Sequence, residues 1–174
     1  MEKFNPPTIK QISRDNAMRR IDALLPETIK SLFKKEYCFS DKMICLTKEI
    51  IGKGEIEFRG ENFYFIPTHI NLLMRTGEDK ATEEYGIIDA ETANGEFEIR
   101  AYGKPIMDRN NSLEMFRHDI KREPEIDFPL IEISSPKWLE PNKEAHFVMK
   151  IILPDASMKR NFKLVMFGQI VIPY

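Results

Sequence analysis

The amino-acid sequence predicts an α+β fold: an antiparallel β-barrel or sandwich of six to eight strands, with N-terminal helices and one inserted helix. Three observations support this prediction. Apolar residues recur every three or four positions over residues 7–37, as in amphipathic helices. From residue 54 they recur every second position, as in strands with one buried face. Residues 104–127 interrupt this alternation, which then resumes to the end of the chain.

Two regions follow from the change of period. Residues 1–52 are predicted to form a helical segment that packs on the sheet. Residues 53–174 are predicted to form an antiparallel β domain with a helical insertion near 110–122. A chain of 174 residues can bury a core without disulfides, and its length favours one domain with an extension.

The N-terminal segment contains two predicted helices. The first spans residues 7–25 and ends at Pro26, because proline cannot donate an intrahelical hydrogen bond. The second begins at Pro26, which suits a first helical turn. The stretch 40–54 fits two alternatives: a short third helix capped by Ser40, or a first strand through residues 43–46.

Three hairpins are predicted in the β domain. Residues 54–66 form the first. Residues 85–103 form the second, in which Asn94 and Gly95 suit a type I′ turn. The third joins the two C-terminal strands, over residues 143–174, which are predicted to run antiparallel side by side.

The insertion is predicted to be a helix over residues 111–121. Asn111 is expected to cap its first turn, with Glu114 completing a capping box. A narrow apolar stripe would pack this helix against the sheet, and it consists of Leu113, Phe116 and Ile120.

The last strand is mostly apolar on both faces. One face carries Phe162, Leu164, Met166, Gly168, Ile170 and Ile172, and the other carries Lys163, Val165, Phe167, Gln169 and Val171. A strand with one solvated face alternates apolar and polar residues, so the second face needs a cover. We therefore predict an interface at Val165, Phe167 and Val171, covered partly by a helix, 7–25 or 111–121, and partly by a protein partner or a second copy.

Composition narrows the class of protein. The net charge is −2, which argues against a dedicated nucleic-acid binder, since such proteins carry a basic excess. We find no secretory signal and no apolar run long enough to span a membrane, so we expect a soluble, cytoplasmic protein. Cys38 and Cys45 are then expected to be reduced, partly buried thiols.

No constellation of residues predicts catalysis. The three histidines, His69, His118 and His146, are far apart in the sequence and are expected at the surface or its boundary. Neither the histidines nor the cysteines have the spacing of a zinc site. We predict no catalytic residues, no metal and no cofactor.

Two stretches resemble a PilZ-type β-barrel, over residues 65–103 and 138–172. "IILPD" and "FGQIVI" resemble the family's later strands, and "GIIDAETANGEFEI" approximately resembles its D/N-x-S-x-x-G turn. Two departures stand out. The RxxxR motif that binds cyclic di-GMP in the family is missing, and the turn has Thr92 in place of serine with one residue too many.

The resemblance implies a degenerate PilZ-like domain that works through protein contacts without the nucleotide. We predict a non-catalytic binding or regulatory module, an adaptor or assembly subunit. The alternative is a barrel that binds a small ligand such as a cyclic dinucleotide, with the loop at 75–84 and the turn at 89–95 as its rim. Its predicted ligand-binding residues are Asp89, Thr92, Asn94 and Gly95. A small enzyme of unknown class is the third possibility.

Overall fold

The structure is a computed structural model. The residues it describes are 37–59, 63–76, 84–107, 111–117, 131–133, 139–140 and 147–173. The chain divides into two compact units: residues 41–170, and a smaller unit formed by residues 1–40 with 171–174. In the smaller unit, the described residues are strand ends.

The described residues form a largely antiparallel β structure, as predicted. Its strands are β1 (Tyr37–Ile51), β2 (Lys53–Phe58), β3 (Phe65–Arg75), β4 (Tyr85–Gly86), β5 (Glu96–Ala101), β6 (Lys104–Pro105), β7 (Asn111–Ser112), β8 (Ile131–Glu132), β9 (Phe147–Ile152) and β10 (Lys159–Pro173). Two short 3₁₀-helices, η1 (Thr92–Asn94) and η2 (Leu113–Arg117), lie among them. The predicted helices before residue 37 lie outside the described residues.

In two stretches where a helix was considered, the structure has strand. The stretch 40–54 takes its strand alternative, because β1 runs through it to Ile51. The inserted α-helix over 111–121 is wrong in its described part, which is strand β7 followed by the five-residue 3₁₀-helix η2. Asn111 pairs with β5, and the cap comes from Ser112 instead, whose Oγ accepts a hydrogen bond from the Glu114 N–H at 3.2 Å.

All strands belong to one ten-stranded sheet in the order β4-β3-β10-β1-β2-β9-β5-β6, with β8 beside β3 and β7 beside β5. The sheet turns a corner between β1 and β2, which share the single register pair Ile51 and Lys53. Gly52 at the corner has a φ of 65°, and a Cβ there would lie 2.5 Å from the carbonyl oxygen of Ala156. Only glycine fits this bend.

The corner divides the sheet into two halves that share one core. We call β3, β10 and β1 the first half, and β2, β9 and β5 the second half. The ring centroids of Phe58 on β2 and Phe65 on β3 are 5.9 Å apart, although two strands separate them along the sheet. The core side chains come from both halves, and include Ile70, Leu72, Phe162, Leu164, Met166, Ile56, Phe97, Ile99, Phe147 and Met149.

The predicted hairpins are wrong because consecutive strands enter different halves. Strand β2 pairs with β9 and β3 pairs with β10, so residues 54–66 form no hairpin. Strands β9 and β10 are likewise not neighbours. The two-residue hairpin loop among these strands is Tyr102-Gly103, between β5 and β6, with φ values of 54° and 74°. Gly95 instead has a φ of −76°, so the type I′ turn predicted there does not form.

Candidate functional site

The four predicted ligand-binding residues lie together in one turn around η1. The Asp89 carboxylate accepts a hydrogen bond from the Thr92 N–H at 2.7 Å, and the Ala93 N–H donates to the Asp89 carbonyl at 3.0 Å. The Asn94 side-chain amide donates to the Ala90 carbonyl at 3.3 Å. Asp89 is therefore the residue that orders this turn, in the manner of a helix cap.

Arg160 at the start of β10 braces the same turn, and the sequence analysis did not identify it. Its Nε donates to Thr92 Oγ1 at 3.1 Å and lies 3.6 Å from Asp89 Oδ2, while Nη2 donates to Glu91 Oε2 at 3.2 Å. The Arg160 side chain is 24% exposed, and Thr92 is fully buried. The contact joins residues that are 68 positions apart, so no local sequence pattern predicts it.

The charges in the turn stabilise an ionised Asp89. Partial burial alone would raise the pKa of Asp89, but hydrogen bonds from Thr92 and the positive charges of Arg160 and Arg117 outweigh it. The net result is a pKa below the ordinary value of 3.8. Asp89 is thus an anion that this chain already neutralises.

Gly95 serves packing in this turn. A Cβ at this position would lie 2.5 Å from the carbonyl oxygen of Ile152 and 2.9 Å from Leu113 Cδ1. Asp89, Thr92 and Gly95 are therefore occupied by internal contacts, and Ala90, Glu91 and Asn94 are the exposed members of the turn. Chemically, the arrangement is a polar brace between η1 and β10.

The predicted interface residues are mostly buried within the chain. Val165 is 7% exposed and Val171 is 4% exposed, while Phe167 is partly buried. On β3, the residues paired with Val165 and Lys163 are Asn71 and Leu73, which are buried too. Val165, Asn71 and Leu73 are therefore buried although they lie on the side of β3 and β10 away from the core side chains.

A β-bulge shapes the middle of the β3–β10 ladder. The pairing shifts between Phe167 and Gly168, which leaves Thr68 as an extra residue on β3. Thr68 Oγ1 lies 2.9 Å from His69 Nδ1 and 3.3 Å from the Phe167 carbonyl oxygen. His69 is thus the register partner of Phe167, one of the predicted interface residues. His118 and His146 fall outside the described residues.

The second half of the sheet has a charged outer face. Register pairs place its outward side chains in three rows: Lys53–Ile152–Glu96, Glu55–Lys150–Glu98 and Glu57–Val148–Arg100. We call these the corner row, the middle row and the far row. Directly opposite residues point to the same side of a sheet, so each row is a line of neighbouring side chains. Within the face, Arg100 Nε lies 3.1 Å from Glu98 Oε1.

Exposed apolar side chains lie at the corner end of this face. Ile51 is 57% exposed and Ile152 is 39% exposed, and both lie in line with Lys53. Met43 on β1 and Tyr102 at the hairpin loop are the other large exposed apolar residues in the described part of the chain. Cys45, also on β1, is a free and exposed thiol rather than a partly buried one.

Within the described ranges, no three histidine, cysteine, aspartate or glutamate side chains come together as metal ligands would. The two short helices that the structure describes are neither long enough nor apolar enough to cross a membrane.

No protein-family model matches the chain, and neither does any curated protein. Among solved structures, it is similar to the Faustovirus major capsid protein, at 9% identity and a TM-score of 0.41, over 85% of this chain and 35% of that one. It is also similar to a capsid structure of Helicobacter pylori bacteriophage KHP30, at 9% identity and a TM-score of 0.33, over 79% of this chain and 99% of that one. A family two carbohydrate esterase from Cellvibrio japonicus has a TM-score of 0.28. All three scores are low, so none of these similarities carries an argument about function.

Proposed function

We propose that this protein is a non-catalytic assembly subunit that works through protein–protein contacts, including contacts between its own copies. The observation that carries the proposal is the exposure of Ile51 and Ile152 in line with Lys53. Lys53 is the register partner of both isoleucines, and its side chain has an aliphatic stem, so we call these three residues the apolar strip. Apolar strips with polar rims are typical of contact surfaces.

The strip is built on rigid backbone, which favours a role in contact. Gly52 is hydrogen-bonded to both ends of the turn between β9 and β10. Its N–H donates to the Met158 carbonyl at 2.8 Å, and its carbonyl accepts a hydrogen bond from the Leu153 N–H at 2.7 Å. The backbone of such an ordered corner loses little further entropy on binding. The structure of the corner thus favours a preformed contact surface.

The strand order offers an independent analogy. Strands β8-β3-β10-β1 on one side of the corner and β2-β9-β5-β6 on the other follow the order of a double-sheet jelly roll. Jelly rolls occur in capsid and lectin domains, among others, and a fold alone does not determine function. The analogy is one of topology, and it adds weight to a structural or binding role.

Light scattering on the purified protein tests the proposal. We expect the mass of the wild-type protein to rise with concentration, and the double variant Ile51→Ser/Ile152→Ser to remain closer to the monomer. Met43→Ser is the matched control, since it removes a similarly exposed apolar side chain from β1 and should leave the association unchanged. A wild-type protein that stays monomeric over the whole concentration range would contradict the proposed function.

A further inference from the structure

The charged outer face of the second half has a pattern that matches its own copy. In the corner row, Lys53 and Glu96 flank Ile152, and in the far row, Glu57 and Arg100 flank Val148. On β2 the corner row has lysine and the far row has glutamate. On β9 the two residues are isoleucine and valine, and on β5 they are glutamate and arginine. A solvated face needs opposite charges across strands, but it does not need the far row to be the complement of the corner row.

We propose that this face binds a second copy of the chain, face to face, about a two-fold axis that crosses the strands at the middle row. This rotation places each strand over its own copy in the reverse direction. The corner row of one copy then faces the far row of the other. Lys53 meets the partner's Glu57, Ile152 meets the partner's Val148, and Glu96 meets the partner's Arg100. Each contact occurs twice.

The middle row meets itself, and it is the least favourable part of the contact. Lys150 on β9 is flanked by Glu55 on β2 and Glu98 on β5, each one strand spacing away, about 4.8 Å. A sideways lean of the lysine therefore brings it to a glutamate of the partner. Glu98 is already paired with Arg100, which reduces the repulsion between the two facing copies of Glu98.

The alternative relation, with the axis along the strands, gives each charged residue except Lys150 a different partner. It would place Lys53 opposite the partner's Glu96 in the corner row. In the middle row, however, it would place Glu55 opposite the partner's Glu98, next to facing copies of Lys150. In the far row it would place Glu57 opposite the partner's Arg100, but Val148 and Ile152 would each meet only themselves. The two arrangements thus have equal numbers of opposite-charge and like-charge contacts and differ in their partners, because only the first brings Lys53 to the partner's Glu57 and Ile152 to the partner's Val148.

The contact extends the apolar strip of the proposed function. Ile152 belongs both to the strip and to the corner row, so the partner's Val148 covers one of its two isoleucines. The inference rests on the proposed function, because it names the face and the partner through which assembly occurs. Its test must therefore separate a wrong face from a protein that does not assemble.

Two single charge reversals and their mixture provide that test. Lys53→Glu and Glu57→Lys lie on the exposed side of β2, so neither is expected to affect folding. Each variant alone would place like charges at two symmetric contacts, and we expect its dimer to weaken by roughly tenfold or more. An equimolar mixture restores opposite charges at both contacts, because each variant supplies what the other lacks. The double variant Lys53→Glu/Glu57→Lys should dimerise with itself as the wild type does.

Sedimentation velocity over a concentration series measures each case, with Lys48→Glu as the control. Lys48 is exposed on β1, and its reversal changes the net charge as Lys53→Glu does. If the wild type associates and the single variants associate equally well, this face is not the contact, while the proposed function stands. If the single variants dissociate but their mixture does not recover, the two-fold arrangement is wrong. If the wild type never associates, the proposed function fails, and the inference fails with it.

Discussion

On the outer face of β9, Val148, Lys150 and Ile152 lie among charged neighbours, whereas on the outer face of β10 Val165 is almost fully buried. The two strands carry similar apolar residues toward the shared core. Both outer sides mix apolar and polar residues, since β10 also carries Lys163 and Gln169 outward, so the two sides differ in how far they are buried. Val165 is thus closed to solvent, whereas the outer side of β9 is partly exposed, from the half-buried Val148 and Lys150 to the exposed Ile152.

The largest expected effect comes from placing the same charge on each of these two faces. Val165→Lys buries an ammonium group with no partner, and we expect it to lower the free energy of unfolding by about 3 kcal/mol or more. Val148→Lys adds a charge to a partly solvated face and should cost less than about 1 kcal/mol. Urea denaturation at low protein concentration compares them. Equal decreases in the free energy of unfolding would contradict a difference in burial between the two faces.

A glycine in each half provides the next comparison. A Cβ at Gly168 on β10 would lie 2.1 Å from the backbone oxygen of Ile66, which cannot move away alone. A Cβ at Gly54 on β2 would meet only the tip of the Ile50 side chain, at 2.6 Å. We expect Gly168→Ala to destabilise by about 2 kcal/mol and Gly54→Ala by clearly less. Thermal unfolding of both variants measures this, and a reversed order would contradict the close approach of β3 and β10 at the bulge.

The brace at Asp89 joins β10 to the turn before β5, and it predicts an acid-sensitive stability. Because the folded pKa of Asp89 lies below 3.8, its contribution is complete above that ordinary value and is lost as pH falls through the folded pKa. Asp89→Asn should therefore be less stable than the wild type at neutral pH and lose less stability on acidification. Chemical denaturation at several pH values from neutral downward tests this. Parallel pH profiles for the two proteins would show that Asp89 carries no such contribution.

The smallest effect is expected on the charged face itself. Lys150→Gln removes the central positive charge between Glu55 and Glu98, and cross-strand pairs of this kind contribute about 0.5 kcal/mol. High salt should reduce even this loss, because it screens exposed charges. A loss of several kcal/mol, independent of salt, would show that the face is buried by something in the monomer.

The sequence was a better guide to which face of each strand is buried than to which strands pair with each other. The alternation in β9 and the double apolar pattern of β10 both correspond to observed burial, including the burial of Val165. A period of two sets the orientation of side chains but contains no information about the neighbouring strand. The hairpins at 54–66 and 143–174 therefore failed when those strands entered opposite halves of the sheet.

The candidate site was predictable only in part. Asp89, Thr92, Asn94 and Gly95 do share one turn, but Arg160 joins it from 68 residues away, and the resemblance to PilZ domains gave no sign of it. The ladder of charges across β2, β9 and β5 depends on register, which the sequence does not show. The PilZ relationship, the nucleotide alternative and a cover of β10 by the helix at 7–25 stay predictions.

The most direct test of the central claim is the sedimentation mass of the wild-type protein as a function of concentration. The account predicts a weight-average mass that starts at the monomer value of 20.4 kDa and rises toward twice that value. A mass that remains at 20.4 kDa at every concentration would contradict the claim that this chain assembles with its own copies.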